Sequence, residues 1–381
     1  MSPIVPEHLL PLVKFRDRRS VSPVLYHPDS NGWSVYKYSD VKAIFSDHER
    51  FSSHTGRTPT KEEPIEASIL RKDPPKHRQL RSLVSQAFTP RAIESLVPRI
   101  QAVTDRLLDE AEAKGKGAAI DAVGEFTGPL PVLIIADMLG IPPEDIGLFK
   151  RWSDELVGNN ADDFFRCQQE MSVYFSDVVE SRRLEPRDDL ISRLVAASIN
   201  NERLSELELI GFCILLLVAG NETTTNLISS ALLCLNGSEE ARARLIGSEA
   251  QLPGAIEEVL RYCSPVQHMI RRVTADTEFR GFRLTAGQIV QLWIGSANHD
   301  EDVFASPETF DIARDPNPHL AFGHGIHFCL GALLARLEAR IAIQSLLARF
   351  PAFAADRTYP LERLPSSIIF GVKRLPLTLC P

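Results

Sequence analysis

The chain has 381 residues, 44% hydrophobic and 24% charged, with 42 Lys and Arg against 50 Asp and Glu and a net charge of −8. This is an ordinary globular composition, which excludes a disordered, fibrous or coiled-coil chain, and its acidic balance argues against non-specific nucleic-acid binding. At ~150 residues per domain the length alone suggests two or three domains, but no linker or internal repeat is visible and a single domain over 1–381 is expected.

The N-terminus, MSPIVPEHLLPLVKFRDRR, lacks the basic start, apolar run and small-residue cleavage site of a signal peptide. Apolar–polar alternation on both sides of Asp29-Ser30-Asn31-Gly32 predicts a hairpin. From about Pro90 the pattern becomes mostly helical, with apolar residues at i, i+3 and i+4 over Val103–Ala113, Pro131–Leu139, Glu144–Val157, Phe164–Arg182 and Leu190–Ile199. A capping box, Ser205-Glu206-Leu207-Glu208, opens the longest helix, which should end near Asn236-Gly237. At 1.5 Å per residue its roughly 30 residues span ~45 Å, so it is expected to cross the core. Its most apolar stretch, Leu209–Gly220, is shorter than the ~20 residues a bilayer demands, and no membrane association is expected. Gly254–Tyr262 reads as another helix, EFRGFRLTAGQIVQLW as a second hairpin turning at Thr285-Ala286-Gly287, Leu330–Phe350 as a helix and SSIIFGVKRLPLTL as short strands. The fold class is therefore mainly α with small β-sheets. Six cysteines without a CxxC pair, in a chain too long to need staples, fit a reducing cytoplasm.

Three places carry residues suited to chemistry. Inside the long helix, Ala219-Gly220-Asn221-Glu222-Thr223-Thr224-Thr225 is poor helix-forming sequence. Thr hydroxyls bonding back to the preceding turn should loosen the helix there and leave room for a ligand and a proton-carrying group. Glu258 and Arg261 stand three apart on one helix face, a pairing that is usually a solvated surface contact. The third place is Phe322-Gly323-His324-Gly325-Ile326-His327-Phe328-Cys329-Leu330-Gly331, a Gly-rich turn that delivers a cysteine to a helix start. A cysteine is commonly a buried small hydrophobe. At a helix start, however, free amides and the dipole favour an anion, which points to a thiolate at Cys329.

Together and in this order, these features resemble cytochrome P450, specifically its soluble bacterial branch, over nearly the whole chain. FGHGIHFCLG is similar to the family's cysteine loop, AGNETT to its oxygen-activating helix segment, and Glu258 with Arg261 to its ExxR pair, joined by Arg314 of PETFDIAR. DPPKHRQLRSLVSQAFTP, from Asp73 to Pro90, is a fourth similar segment. The resemblance implies the cytochrome P450 fold, with the long central helix crossing over a haem b (iron-protoporphyrin IX), and Cys329 as axial ligand of the haem iron. An electron-rich thiolate favours O–O cleavage, in keeping with that role. It also implies haem contacts from Ala219, Phe322 and Gly331, propionate-holding cations at His77, Arg81, Arg271 and His327, and an acid–alcohol pair, Glu222 and Thr223, that relays protons. Spacing to Asp276 and Gly281 favours Arg271 over Arg272. Glu258, Arg261 and Arg314 are assigned to the fold around the haem.

The activity so implied is insertion of one atom of O2 into a C–H bond of a hydrophobic small molecule: a fatty acid, terpenoid, steroid or macrolide-like compound. Candidate substrate-facing segments are Ser53–Leu70, Asp154–Arg182, Val266–Ile270 and Ile368–Phe370, with Ile65, Ile69, Leu70, Val266, Met269, Ile369 and Phe370 suited to an apolar ligand. No flavin or nicotinamide module is expected, since no GxGxxG follows a strand. Electrons from NAD(P)H must arrive through a ferredoxin or flavodoxin with its reductase, for which Arg78, Arg91, Arg336 and Arg340 offer local positive charge. A monomer is expected. Two other classes compete: a haem-binding sensor without turnover, which has no need of the Glu222–Thr223 pair, and a Cys–His hydrolase using Cys329 with His324 or His327, for which no oxyanion-hole partner is evident.

Overall fold

The computed structural model describes residues 4–380, except 57–63, 116, 118, 158–160, 200 and 357. Parts of two expected substrate-facing segments, 57–63 and 158–160, thus lie outside the described residues. The chain divides into two compact units, one of Met1–Phe51, Ile100–Leu130 and Thr223–Pro381, the other of Ser52–Arg99 and Pro131–Glu222.

Among the described residues, the strands β1 (Val24–His27), β2 (Gly32–Val35), β3 (Phe51–Ser52), β4 (Ala119–Asp121), β5 (Met269–Val273), β6 (Thr277–Phe279), β7 (Phe282–Leu284), β8 (Ile289–Leu292), β9 (Ala352–Ala355) and β10 (Pro376–Cys380) fall in three small sheets. The expected first hairpin is β1–β2, paired Val24↔Val35 to His27↔Gly32, with Asn31 in the left-handed region at φ 46°. β2 continues into β8 in parallel and β8 into β5 antiparallel, giving a sheet of order β1–β2–β8–β5–β3. One face of that sheet holds a core of Trp33, Val35, Val290, Leu292 and the helical residues Tyr38, Val41, Ile44 and Phe45. Each large apolar side chain buried there contributes about 1.5–3 kcal/mol.

The second expected hairpin turns elsewhere. Its two-residue loop is Arg280-Gly281, both at positive φ (51° and 78°) between the pair Phe279↔Phe282, the geometry whose twist matches antiparallel strands. Thr285-Ala286-Gly287 instead carries the chain from that two-stranded sheet into β8, with Thr285 N–H donating to Gln288 Oε1 at 2.9 Å.

Helices keep the expected order with shifted ends: Val97–Glu112, Pro129–Met138, Ile146–Val157, Ala161–Leu184, Leu190–Ala196, Glu206–Gly237, Leu252–Tyr262 and Ala332–Arg349. The capping box closes as its residues require, Glu208 N–H to Ser205 Oγ at 3.3 Å and Ser205 N–H to Glu208 Oε2 at 2.8 Å. The 32-residue helix it opens is long and apolar enough to cross a membrane, but 61% of its most apolar window is buried within the protein, as in a core helix. In the second unit the Ile146–Val157 and Ala161–Leu184 helices meet through Phe149, Trp152, Tyr174 and Phe175, with ring centroids 5.3–5.8 Å apart.

Candidate active site

In the first unit the chain enters the Ala332–Arg349 helix through a tight loop. Gly323 and Gly325 both sit at φ 72°, and a Cβ on Gly325 would lie 2.7 Å from the Phe45 carbonyl oxygen, so that position requires glycine. Gly323 N–H donates to Leu320 O at 2.8 Å, a short 3₁₀ turn covers Gly325–His327, and Cys329 N–H donates back to Phe322 O at 2.9 Å. The helix starts at Ala332 rather than Leu330, because Leu330 and Gly331 complete a turn first. Cys329 therefore sits three residues ahead of the helix, on the loop and half-buried.

The other cysteines differ. Burial pushes the Cys213 thiol up to about 12, burial with the Glu155 contact does the same for Cys167, and burial beside Cys263 raises Cys234. Cys380 is exposed on β10. Around Cys329, Phe328 stays 42% exposed, and a Cβ on Gly331 would meet nothing within 4 Å. A half-buried sulfur beside open space and an uncovered aromatic ring is a donor set that fits a flat apolar macrocycle with a soft axial ligand.

β5 carries Arg271 and Arg272 on opposite faces. Arg271 is buried, donates to Ile270 O at 2.9 Å and lies 5.2 Å from the centre of the Phe45 ring, whereas Arg272 is half-buried. His327 lies in the 3₁₀ turn beside Phe328. A buried guanidinium on a strand face fits an anionic group such as a propionate.

In the second unit His77 opens the Lys76–Ser85 helix, and Arg81, four residues on, shares its face. His77 is 3% exposed and its N–H donates to Asp73 O at 3.0 Å, while the Asp73 carboxylate accepts from Ser53 N–H at 3.0 Å. The Glu206–Gly237 helix runs unbroken through Ala219–Thr225, so the expected loosening of its ladder is absent. Room comes from side-chain size instead. Ala219 is exposed and Gly220, Glu222 and Thr223 are half-buried, between buried runs at Gly211–Leu215 and Thr224–Leu235. Positions 219, 222 and 223 form one face at i, i+3 and i+4, part of a less covered stretch of the helix that also includes the half-buried Leu216 and Val218.

Glu258 and Arg261 are not a surface pair: both are 0% exposed. Arg261 donates to both Glu258 oxygens at 2.8 Å and to the carbonyls of Asn298, Pro307 and Thr309. Arg314 Nε lies 3.1 and 3.2 Å from the same carboxylate, and Asn317 Nδ2 and the Asp311 N–H complete its shell. A fully bonded buried carboxylate between two guanidiniums holds three chain segments together, and removing either charge costs about 3–5 kcal/mol. Sequence reasoning missed Asn298, Asn317 and a neighbouring set that joins Glu257 and His319 to Arg336, an arginine it offered only as a docking charge. None is signalled locally, because each acts across 20 to 80 residues of chain.

The family model for cytochrome P450 matches residues 29–147 and 251–381. Cytochrome P450 109 of Bacillus spizizenii is 46% identical over 385 residues, covering 98% of this chain and 93% of that protein. A methyl-branched lipid omega-hydroxylase of Mycobacterium tuberculosis is 41% identical, covering 91% of this chain and 83% of its own. The crystal structure of CYP109E1 from Bacillus megaterium in complex with testosterone has a TM-score of 0.91 at 39% identity and covers 98% of both chains.

Proposed function

The chain belongs to the cytochrome P450 family, and from that membership we propose that Cys329 is the thiolate that would hold its haem iron, that Ala219, Phe322 and Gly331 would pack against the macrocycle, and that His77, Arg81, Arg271 and His327 would hold its propionates. The protein has the cytochrome P450 fold and is a haem-dependent monooxygenase. It inserts one atom of O2 into a C–H bond of a hydrophobic small molecule, using electrons that come from NAD(P)H through separate partner proteins. Haem, when bound, supplies the activation of O2. The chain's own residues supply what haem lacks: a fixed sulfur donor, cations against the propionates, and protons. The stoichiometry is one C–H bond hydroxylated and one water released per O2, two electrons and two protons. Thr223 and Glu222 are the alcohol and carboxylic acid that deliver those protons from the less covered stretch of the helix.

The observation that carries this reading is the half-buried Cys329, tied to Phe322 at 2.9 Å in a loop whose glycines adopt backbone no other residue tolerates well. Substrate recognition falls to Val266 and Met269 beside the bridge Val266↔Ile369, and to Ile65, Ile69, Leu70 and Phe370, with a fatty acid, terpenoid, steroid or macrolide-like compound as substrate. A lipid hydroxylase and a steroid-bound structure among its relatives support that range. A ferredoxin or flavodoxin is the electron donor. Residues 1–381 form one domain, monomeric and cytoplasmic, the last supported by cysteines that form no disulfide, Cys234 and Cys263 included with sulfurs 3.7 Å apart.

The test is spectroscopic. Cys329→Ala should lose the thiolate-type Soret band of the reduced carbon-monoxide complex, and its retention refutes the ligand assignment. Thr223→Ala should keep that band yet release more of its electrons as hydrogen peroxide. Unchanged coupling removes Thr223 from proton delivery.

A further inference from the structure

Next to the ExxR glutamate, Glu257 points to a different set of partners. Arg336 of the Ala332–Arg349 helix donates to it twice, Nε to Oε1 at 2.6 Å and a terminal nitrogen to Oε2 at 2.7 Å. His319 Nε2 lies 3.0 Å from Glu257 Oε2, and the Ala321 N–H donates to His319 Nδ1 at 3.2 Å. With Nδ1 accepting, the hydrogen of a neutral ring is on Nε2 and donates to the carboxylate. Burial would raise the Glu257 carboxyl, but the Arg336 and His319 bonds outweigh it and hold it at about 2, so the group is charged throughout the working range. The guanidinium so fixed sits over the Phe322 ring, its carbon 4.4 Å from the ring centre, with the His319 ring 6.2 Å away on the same residue. Phe322 is also the residue whose carbonyl accepts the Cys329 N–H.

We propose that Glu257 and Arg336 are positioning residues for the thiolate: the carboxylate orients the guanidinium, the guanidinium clamps the Phe322 ring, and Phe322 holds the amide of Cys329 and with it the sulfur. This rests on Cys329 being the haem ligand. Arg336, still 33% exposed, is thereby paired with Glu257 rather than standing as a free docking charge. The arrangement is separate from the Glu258–Arg261–Arg314 network, whose guanidiniums converge on the Glu258 carboxylate and hold chain segments together.

The experiment uses purified holoprotein and compares the parent with Glu257→Gln, Glu257→Asp, Arg336→Ala, the Gln–Ala double variant and Cys329→Ala. Two quantities are read well below the unfolding temperature with the far-ultraviolet helix signal monitored. One is the rate at which the reduced carbon-monoxide complex passes from the thiolate-type band to the shorter-wavelength band. The other is the ferric–ferrous midpoint potential. Glu257→Gln and Arg336→Ala should each speed the conversion roughly three- to tenfold, the range a cation–π contact of this kind commands. They should also shift the potential in the same direction, and the double variant should do no more than either alone. Glu257→Asp should recover most of the parental behaviour. Should Arg336→Ala fail to load haem, Arg336→Lys, which keeps the charge but not the flat face, carries the same expectation. Parental rates and potentials in Glu257→Gln and the Arg336 variant overturn the clamp, as do fully additive effects in the double variant. If Cys329→Ala keeps the thiolate band, the ligand assignment itself fails, so the two failures are told apart.

Discussion

Nine residues beyond Cys329, Glu338 shows what a single carboxyl does when nothing answers it. It is 2% exposed, its Oε2 has no hydrogen-bond partner among the described residues, and burial raises its pKa from 4.5 to about 8. Between those two values the unfolded chain is ionised there while the folded chain holds the proton, so folding takes up a proton. Stability from this group is therefore fully present below about pH 4.5 and is lost by up to about 1.4 kcal/mol per unit as pH rises toward 8, with no further loss above. Glu338→Gln should erase that slope and raise the thermal midpoint at about pH 8 relative to parent, with a smaller gain at about pH 5. Identical pH slopes in the two proteins would place the titration elsewhere. Part of this was legible beforehand. Glu338 follows Leu334 by four and precedes Ile341 by three, on the apolar stripe of a readable helix, so its burial is a matter of phase. That no partner reaches it is a property of distant segments. The same contrast separates Cys329, announced by its glycines, from Glu257, whose partners are 62 and 79 residues away.

Elements were legible where periodicity and caps agree. The Ser205–Glu208 box marked the start of the longest helix to within one residue, and Asn31-Gly32 placed the first hairpin. The helices Leu12–Val21 and Tyr38–Ser46 went unread because they are ten and nine residues long and charge-interrupted; packing rather than propensity forms them. The second hairpin was misplaced because two glycine turns lie six residues apart, at Gly281 and Gly287, and only tertiary pairing selects between them. Within the long helix, two glycines answer different demands. A Cβ on Gly211 would collide with the carbonyl oxygen of Pro64, which is backbone, whereas one on Gly220 would meet Ile135 Cδ1 at 2.6 Å, the movable end of a side chain. Gly211→Ala should therefore destabilise by about 1–3 kcal/mol and displace the Pro64–Ala67 helix. Because that helix belongs to a segment proposed to face substrate, it should also weaken the substrate-induced Soret shift. In Gly220→Ala the rotamer change is offset by ~1 kcal/mol of helix propensity, leaving stability near parental. Thermal midpoints that rank the two variants the other way would show that Pro64 yields more readily than Ile135.

For the molecule as a whole, the fold follows from a handful of motif residues because the cytochrome P450 family ties them to one arrangement of helices and small sheets. Substrate identity does not follow, since the residues suited to contact it are apolar and read the same whether they pack or bind. Electron supply lies between these cases and can be argued from charge. A protein of net charge −8 repels an acidic ferredoxin at long range, so productive docking requires a local positive face. Of the four arginines expected to form it, Arg336 is bound to Glu257, while Arg78, Arg91 and Arg340 are exposed. Reversing any two of these three to Glu should slow reduction by an acidic ferredoxin at low ionic strength. The parental excess should shrink as salt rises from about 0.01 to 1 M, over which the screening length falls from ~30 Å to ~3 Å. Stopped-flow reduction followed at the Soret band measures both. Because exposed charges act mainly on encounter, association should slow while the first-order step at saturating partner holds constant. A double reversal that left the association rate and its salt dependence unaltered would move the electron entry point away from these arginines.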